Sequence, residues 1–288
     1  MQLSDSDYCT KYIKEMKHIL ILFIFGLSAI DGSGQGPTGK NALSLHFGPA
    51  FVARQDLVFS PFIHDDFSFL NIGAGYTRRA KLFQKVSLRF ANFNPMVAEP
   101  YEFAVHGELY TAYPHSFSLI DLDYQIGKRI SESQRSVITA GGLYSTDIQA
   151  LNYVYGRIGS FGYYSALGLG IFGTYERAVS EKTHLAATLQ LPLIAWLARS
   201  PYLVNDDEFI ENISSHSGLK TFMAFIGDGE MVTWNKMQTL DLELKYEYSL
   251  NERWGLSAAF QFDFVHVSQP RNLLSFRNSL DFSACYKF

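Results

Sequence analysis

The chain has 288 residues, 47% of them hydrophobic and 15% aromatic, and a formal net charge of −4. That length leaves room for one domain or two, and a single barrel fits it. The mild acidity excludes a charge-driven nucleic-acid partner. No Cys/His spacing suggests zinc, and no metal or other cofactor is expected.

The N-terminus reads as an address. Lys14, Lys17 and His18 precede an apolar run, Ile19 to Ile30, of about 12 residues. That is the length of a signal-peptide core and too short for a membrane anchor. Gly32 and Gly34 supply small residues at −3 and −1 for cleavage before Gln35. Residues 1–34 are therefore expected to be a signal peptide, with Met16 as an alternative start, and residues 35–288 a single domain. Cleavage removes Cys9, so Cys285 is left without an internal disulfide partner. After residue 30 no apolar run reaches the roughly 20 residues a membrane helix needs.

The remainder of the chain alternates between apolar and polar residues. A strand points successive side chains to opposite faces, so period-two patterning marks a two-faced strand. Ten segments show it. Leu43, Leu45 and Phe47 oppose Ser44, His46 and Gly48 in the first. Leu70, Ile72, Ala74 and Tyr76 set the second, and Val86, Leu88 and Phe90 the third. Ile120, Leu122, Tyr124 and Ile126 alternate with Asp121, Asp123 and Gln125 in the fourth. The fifth, about 136–147, is interrupted by glycine and its facing is ambiguous. Leu167, Leu169 and Ile171 mark the sixth, and Leu185 to Leu193 the seventh. The eighth sets Leu240, Leu242, Leu244, Tyr246 and Tyr248 against Asp241, Glu243, Lys245 and Glu247. Leu256 to Phe264 form the ninth. The tenth is the C-terminus, Leu280 to Phe288.

The connections alternate too. Short polar turns fall at 78–84, 128–135, 177–183 and 251–253; longer loops fall at about 54–66, 92–116, 148–162, 197–235 and 268–275. This predicts an all-β, membrane-spanning, antiparallel up-and-down β-barrel of about ten strands, with eight to twelve compatible. Closure leaves no edge, the one way a sheet satisfies its backbone in lipid. Tyr76, Phe83, Tyr175, Tyr248, Trp254, Tyr286 and Phe288 near the turns, and Trp196, Tyr202 and Trp234 near the loops, suggest two aromatic belts.

The last strand resembles the C-terminal signature of Gram-negative outer-membrane proteins, with Leu280, Phe282, Ala284, Tyr286 and Phe288 at the signature's alternate places. The resemblance implies the outer membrane as location, its lipid as surroundings, and the barrel-assembly machinery as a partner during biogenesis. Gln35 at the mature end of a short aromatic-rich barrel is similar to outer-membrane proteins of Bacteroidetes-type bacteria.

Two places could hold chemistry. The polar faces put Lys85 and Arg89 beside Asp121 and Asp123, and put Asp241, Glu243, Lys245 and Glu247 beside Asp263, which neighbours Asp281 and Lys287. A narrow barrel is mostly filled by side chains. Charges there must be paired or wet, so an interior salt-bridge network is expected, with a selectivity lining as the alternative. The long-loop rim carries His64, Asp65 and Asp66, and then Asp206, Asp207, Glu208, His216 and Asp228. A His polarised by a carboxylate could activate water. Ten-stranded omptin-type peptidases carry Asp and His at the rim, but their spacing is not found here. Ser215-His216-Ser217 is also not the His-x-Ser of a lipid A deacylase. The loop at 197–235 holds Phe209, Ile210, Ile213, Leu219, Phe222, Met223, Phe225 and Ile226, more apolar residues than a solvated loop needs. It is expected to cap the mouth, extend the flanking strands or meet an envelope partner. The favoured function is a non-enzymatic barrel, either a narrow pore or a structural and interaction protein. The alternatives are a rim-active hydrolase (peptidase or lipid-modifying) and a subunit of a larger envelope complex.

Overall fold

The structure is a computed structural model and describes residues 40–96, 102–111, 113–155, 158–200, 224 and 226–288. The expected signal peptide and most of the 197–235 loop lie outside these residues. The strands are β1 (Asn41–Asp56), β2 (Ile63–Arg79), β3 (Phe83–Phe93), β4 (Glu102–Val105), β5 (Glu108–Thr111), β6 (Ser116–Glu132) and β7 (Ser136–Tyr155). They continue with β8 (Ile158–Ala178), β9 (Thr183–Arg199), β10 (Glu230–Thr233), β11 (Met237–Ser249), β12 (Trp254–Val267) and β13 (Leu273–Lys287).

Ten strands form the ring, in the order β9-β11-β12-β13-β1-β2-β3-β6-β7-β8, and β8 pairs back onto β9. Every neighbouring pair is antiparallel. Each of the ten alternating segments lies on one ring strand. The C-terminal strand meets the first one, with Leu43 opposite Tyr286, Leu45 opposite Ala284 and Phe47 opposite Phe282. The seam is finished by two backbone bonds, Asn41 N–H to the Phe288 carbonyl at 3.1 Å and Phe288 N–H to the Asn41 carbonyl at 2.9 Å.

The apolar face points outward. Leu45 is 70% exposed and Phe47 64%, whereas Asp281 is 2% exposed and Lys287 4%. This inverts the arrangement of a water-soluble barrel, where Leu and Phe are inside and charge is outside. Trp254, Tyr286 and Phe288 meet along the outer face, Trp254 tilted against Tyr286 with centroids 5.0 Å apart and Tyr286 stacked on Phe288 at 6.1 Å. Phe83 departs from the belt expected of it. It is buried, in contact with Phe172 at 5.8 Å.

The strands are longer than their apolar alternation. They run from 11 to 21 residues, against the 9–11 or so needed to cross a bilayer. The excess lies on the long-loop side. The loop expected at 54–66 shrinks to 57–62, and the one expected at 148–162 is strand on both sides of 156–157. The region 92–116 contributes β4 and β5, a hairpin outside the ring. Its His106-Gly107 turn has φ of 53° and 84°, the left-handed pair that matches hairpin twist.

The interior changes character along its axis. Toward the long loops it holds an apolar cluster, with Val52, Phe93, Phe117, Leu151 and Tyr153 essentially without exposure, beside the buried Arg54, Asp56 and Arg199. Toward the short turns it is polar and charged. Phe59, from the 57–62 loop, belongs to the apolar cluster. Burying one such ring stabilises by about 1.5–3 kcal/mol, enough to hold a short loop inward.

Candidate functional site

The inward side chains form three charged layers. In the layer nearest the short turns, Lys85 Nζ lies 3.0 Å from Glu243 Oε1. Glu247 takes Lys287 at 2.8 Å and Lys245 at 3.4 Å. Arg79 Nη2 meets Glu176 at 2.9 Å.

The middle layer is built on two guanidinium groups. Arg277 Nη2 donates to Asp121 Oδ2 at 2.6 Å and to Asp263 Oδ2 at 2.7 Å, and its Nε also reaches Asp263 at 2.8 Å. Arg89 lies 3.1 Å from Asp263 and 3.6 Å from Asp121 and also bonds the Gln261 side chain. The planar fork of arginine suits two carboxylates at once. Asp281 accepts from Asn71 Nδ2 at 2.6 Å and Ser279 Oγ at 3.2 Å. Asp123 and Asp241 line cavities of about 60 and 70 Å³ between the layers.

The third layer closes the long-loop mouth. Asp56 sits between Arg54 at 3.0 Å and Arg199 at 2.6 Å, each of the three at most 2% exposed by side chain. Asp56 Oδ1 also accepts from the amide of Val58, which turns the 57–62 loop inward. Phe59 then stacks on Tyr153, with centroids 4.5 Å apart. It lies so close over Gly162 that a Cβ there would collide with the ring. Arg199 Nη1 donates to the carbonyls of Gln269 at 2.8 Å and Arg271 at 2.6 Å, fixing the 268–272 loop over the lumen.

The ring of ten strands, the outward apolar face and the long-loop rim together permit a comparison of folds. The outer membrane protease OmpT from Escherichia coli superposes with a TM-score of 0.55 at 8% identity, covering 88% of this chain and 98% of that one. The chain shares its fold with an outer-membrane protease. Neisserial surface protein A aligns at a TM-score of 0.36 and 9% identity, over 86% of this chain and 97% of that one. The toluene transporter TodX of Pseudomonas putida aligns at 0.32 and 10%, over 87% and 89%. At 8% identity the likeness to the protease is one of fold alone. No family model matches the chain, and no curated protein matches its sequence.

Among the described residues, no rim His is paired with a rim carboxylate of the sequence reading. His64 is 1% exposed and packs edge-on against His115 at 4.7 Å and Tyr153 at 5.1 Å. Asp65 points to the exposed face, and Asp66 accepts the Asn94 amide at 2.6 Å. Asp206, Asp207, Glu208 and His216 lie outside the described residues, and Asp228 occupies a backbone turn with Ala224.

Sequence reasoning pairs charges on adjacent strands. The structure pairs several across the lumen instead, as in Lys85 on β3 with Glu243 on β11. It also adds Arg54, Asp56, Arg79, Asp147, Glu176, Arg199 and Arg277, none of them singled out by alternation. Arg277 shares parity with Asp281 and Lys287, a signal available once β13 is extended back to Leu273.

His115, just before β6, ties this mouth to pH. Its Nδ1 accepts the Val154 amide at 2.8 Å, which requires that nitrogen unprotonated. Burial pushes the imidazole down from its ordinary value. The folded state therefore binds fewer protons than the unfolded one. The stabilisation is complete above the unfolded value, near 6.5, and falls as pH drops below it. Hydrogen exchange at the Val154 amide is expected to speed up between pH 7.5 and about 5 beyond the intrinsic rate change. An unchanged protection factor would contradict this.

Proposed function

We propose that this chain is a sealed barrel of the bacterial outer membrane, an anchor and display platform rather than a pore. The observation that carries this reading is three buried charge layers across the lumen, with the 57–62 loop turned inward and the 268–272 loop tied to Arg199, inside an exterior of exposed Leu, Ile and Phe. Such an exterior is favourable in lipid and costly in water. The strand extensions beyond the belt and the β4–β5 hairpin then form the displayed surface, and the apolar 197–235 loop is the proposed contact for an envelope partner. The rim-hydrolase alternative needs an open cleft with a His beside a carboxylate. Among the described residues, Phe59 and Tyr153 stack at the long-loop end as part of a buried apolar cluster, which speaks against such a cleft.

In a Gram-negative host the full chain is expected in the outer-membrane fraction, resistant to carbonate extraction. Recovery as a soluble periplasmic protein would refute the placement. Deleting Phe288 removes the terminal residue of the assembly signature and both of its seam bonds to Asn41. The amount of assembled barrel is expected to fall several-fold, read as the heat-modifiable band on a gel. Equal amounts would reject the signature's role.

A further inference from the structure

A cavity of about 180 Å³ lies at the short-turn end, rimmed by the β6–β7 turn. It has room for roughly a dozen waters. With both long loops closing the other end, it is reached from the short-turn side. Five basic side chains line it against four carboxylates. Every one of those carboxylates is already engaged: Glu132 by Arg129 at 3.2 Å, Glu176 by Arg79, Glu243 by Lys85, and Glu247 by Lys245 and by Lys287 from behind. The surplus is positive. Arg135 stands at the rim with no side-chain partner among the described residues. Arg79 spends one terminal nitrogen on Glu176 while its Nε has no partner. Phe83, Val137, Ala178 and Leu185 supply an apolar wall beside these cations.

We propose that this vestibule binds a small carboxylate carrying a short aliphatic body. Arginine takes a carboxylate through two parallel N–H bonds, which fixes its orientation, and the apolar wall takes the body. The ligand is held rather than passed on. Directly above lies the middle layer, where Asp121, Asp123, Asp241, Asp263 and Asp281 outnumber the guanidinium groups of Arg89 and Arg277. An anion meets an opposing field there. The site exists in the isolated barrel, so its test does not depend on where the protein resides.

The test is calorimetric titration of the full chain, purified in detergent micelles, with N-acetylalanine, its C-terminal amide and inorganic phosphate. N-acetylalanine is expected to bind at one site, with the amide and phosphate each at least tenfold weaker. Arg135→Gln is expected to weaken N-acetylalanine at least tenfold while leaving the unfolding midpoint unchanged. Arg79→Gln is expected to weaken it further. Equal binding of acid and amide would overturn carboxylate recognition. Phosphate as tight as the acid would reduce the site to a general anion trap and overturn the proposal. So would an Arg135→Gln protein that binds as the parent does, or no heat from any of the three.

Discussion

Arg277→Met is expected to lower the unfolding free energy of the barrel by about 3–5 kcal/mol, the cost of breaking a buried ion pair from one side. Arg277 is 6% exposed and donates to both Asp121 and Asp263. Its removal leaves two carboxylates sharing Arg89, which lies farther from each of them. Methionine keeps much of the volume, so packing loss contributes little. The effect is charge left without a partner, and it should reverse in part when the partners are neutralised. Asp121→Asn with Asp263→Asn in the same chain is expected to recover at least half of the loss. Denaturant unfolding in detergent, analysed as a mutant cycle, separates the coupling from the single changes. A loss below about 0.5 kcal/mol, the size of an ordinary surface substitution, would mean the middle layer is not holding the barrel together.

Arg199→Ala is expected to cost about 3 kcal/mol, near the lower end of the same range because Asp56 keeps Arg54. Its second effect is local. Arg199 holds the Gln269 and Arg271 carbonyls, and the neighbouring Asn272 carbonyl accepts the Leu57 amide at 3.0 Å, joining the two covering loops. Without Arg199 the 268–272 loop loses its anchor, and the 57–62 loop loses the support it takes from Asn272. Hydrogen exchange at Leu57 should accelerate by at least tenfold while amides at the β1–β13 seam keep their protection. Acceleration everywhere, or nowhere, would contradict a mouth closed by this one side chain.

The legible part of the fold was the part that meets the apolar belt. Leu43, Leu45 and Phe47 must be apolar on the outer face, and Ser44 and His46 need not be, so alternation is strict and the strand is easily read. Beyond the belt that constraint lapses. β1 continues through Arg54, Gln55 and Asp56, and β9 through Arg199, where no outer-face residue has to be apolar. The same stretches therefore read as loop, and the mouth-closing triad was invisible. Phe83 reads as a belt aromatic because it stands near a turn. Its parity with Lys85 and Arg89 places it inside, and the vestibule wall is the result. Partners across the lumen are a separate difficulty. Lys85 and Glu243 sit on β3 and β11, which are not neighbours in the ring. Adjacent-strand reasoning has no means of joining them, because barrel diameter and shear decide which side chains meet.

A sealed lumen passes no ions, and conductance across a planar lipid bilayer reads this. The purified barrel, inserted in one orientation and confirmed folded by its heat-modifiable migration, is expected to pass no steady ionic current at 100 mV. Sustained single-channel steps from that protein would show an open path through the three charge layers and contradict the account.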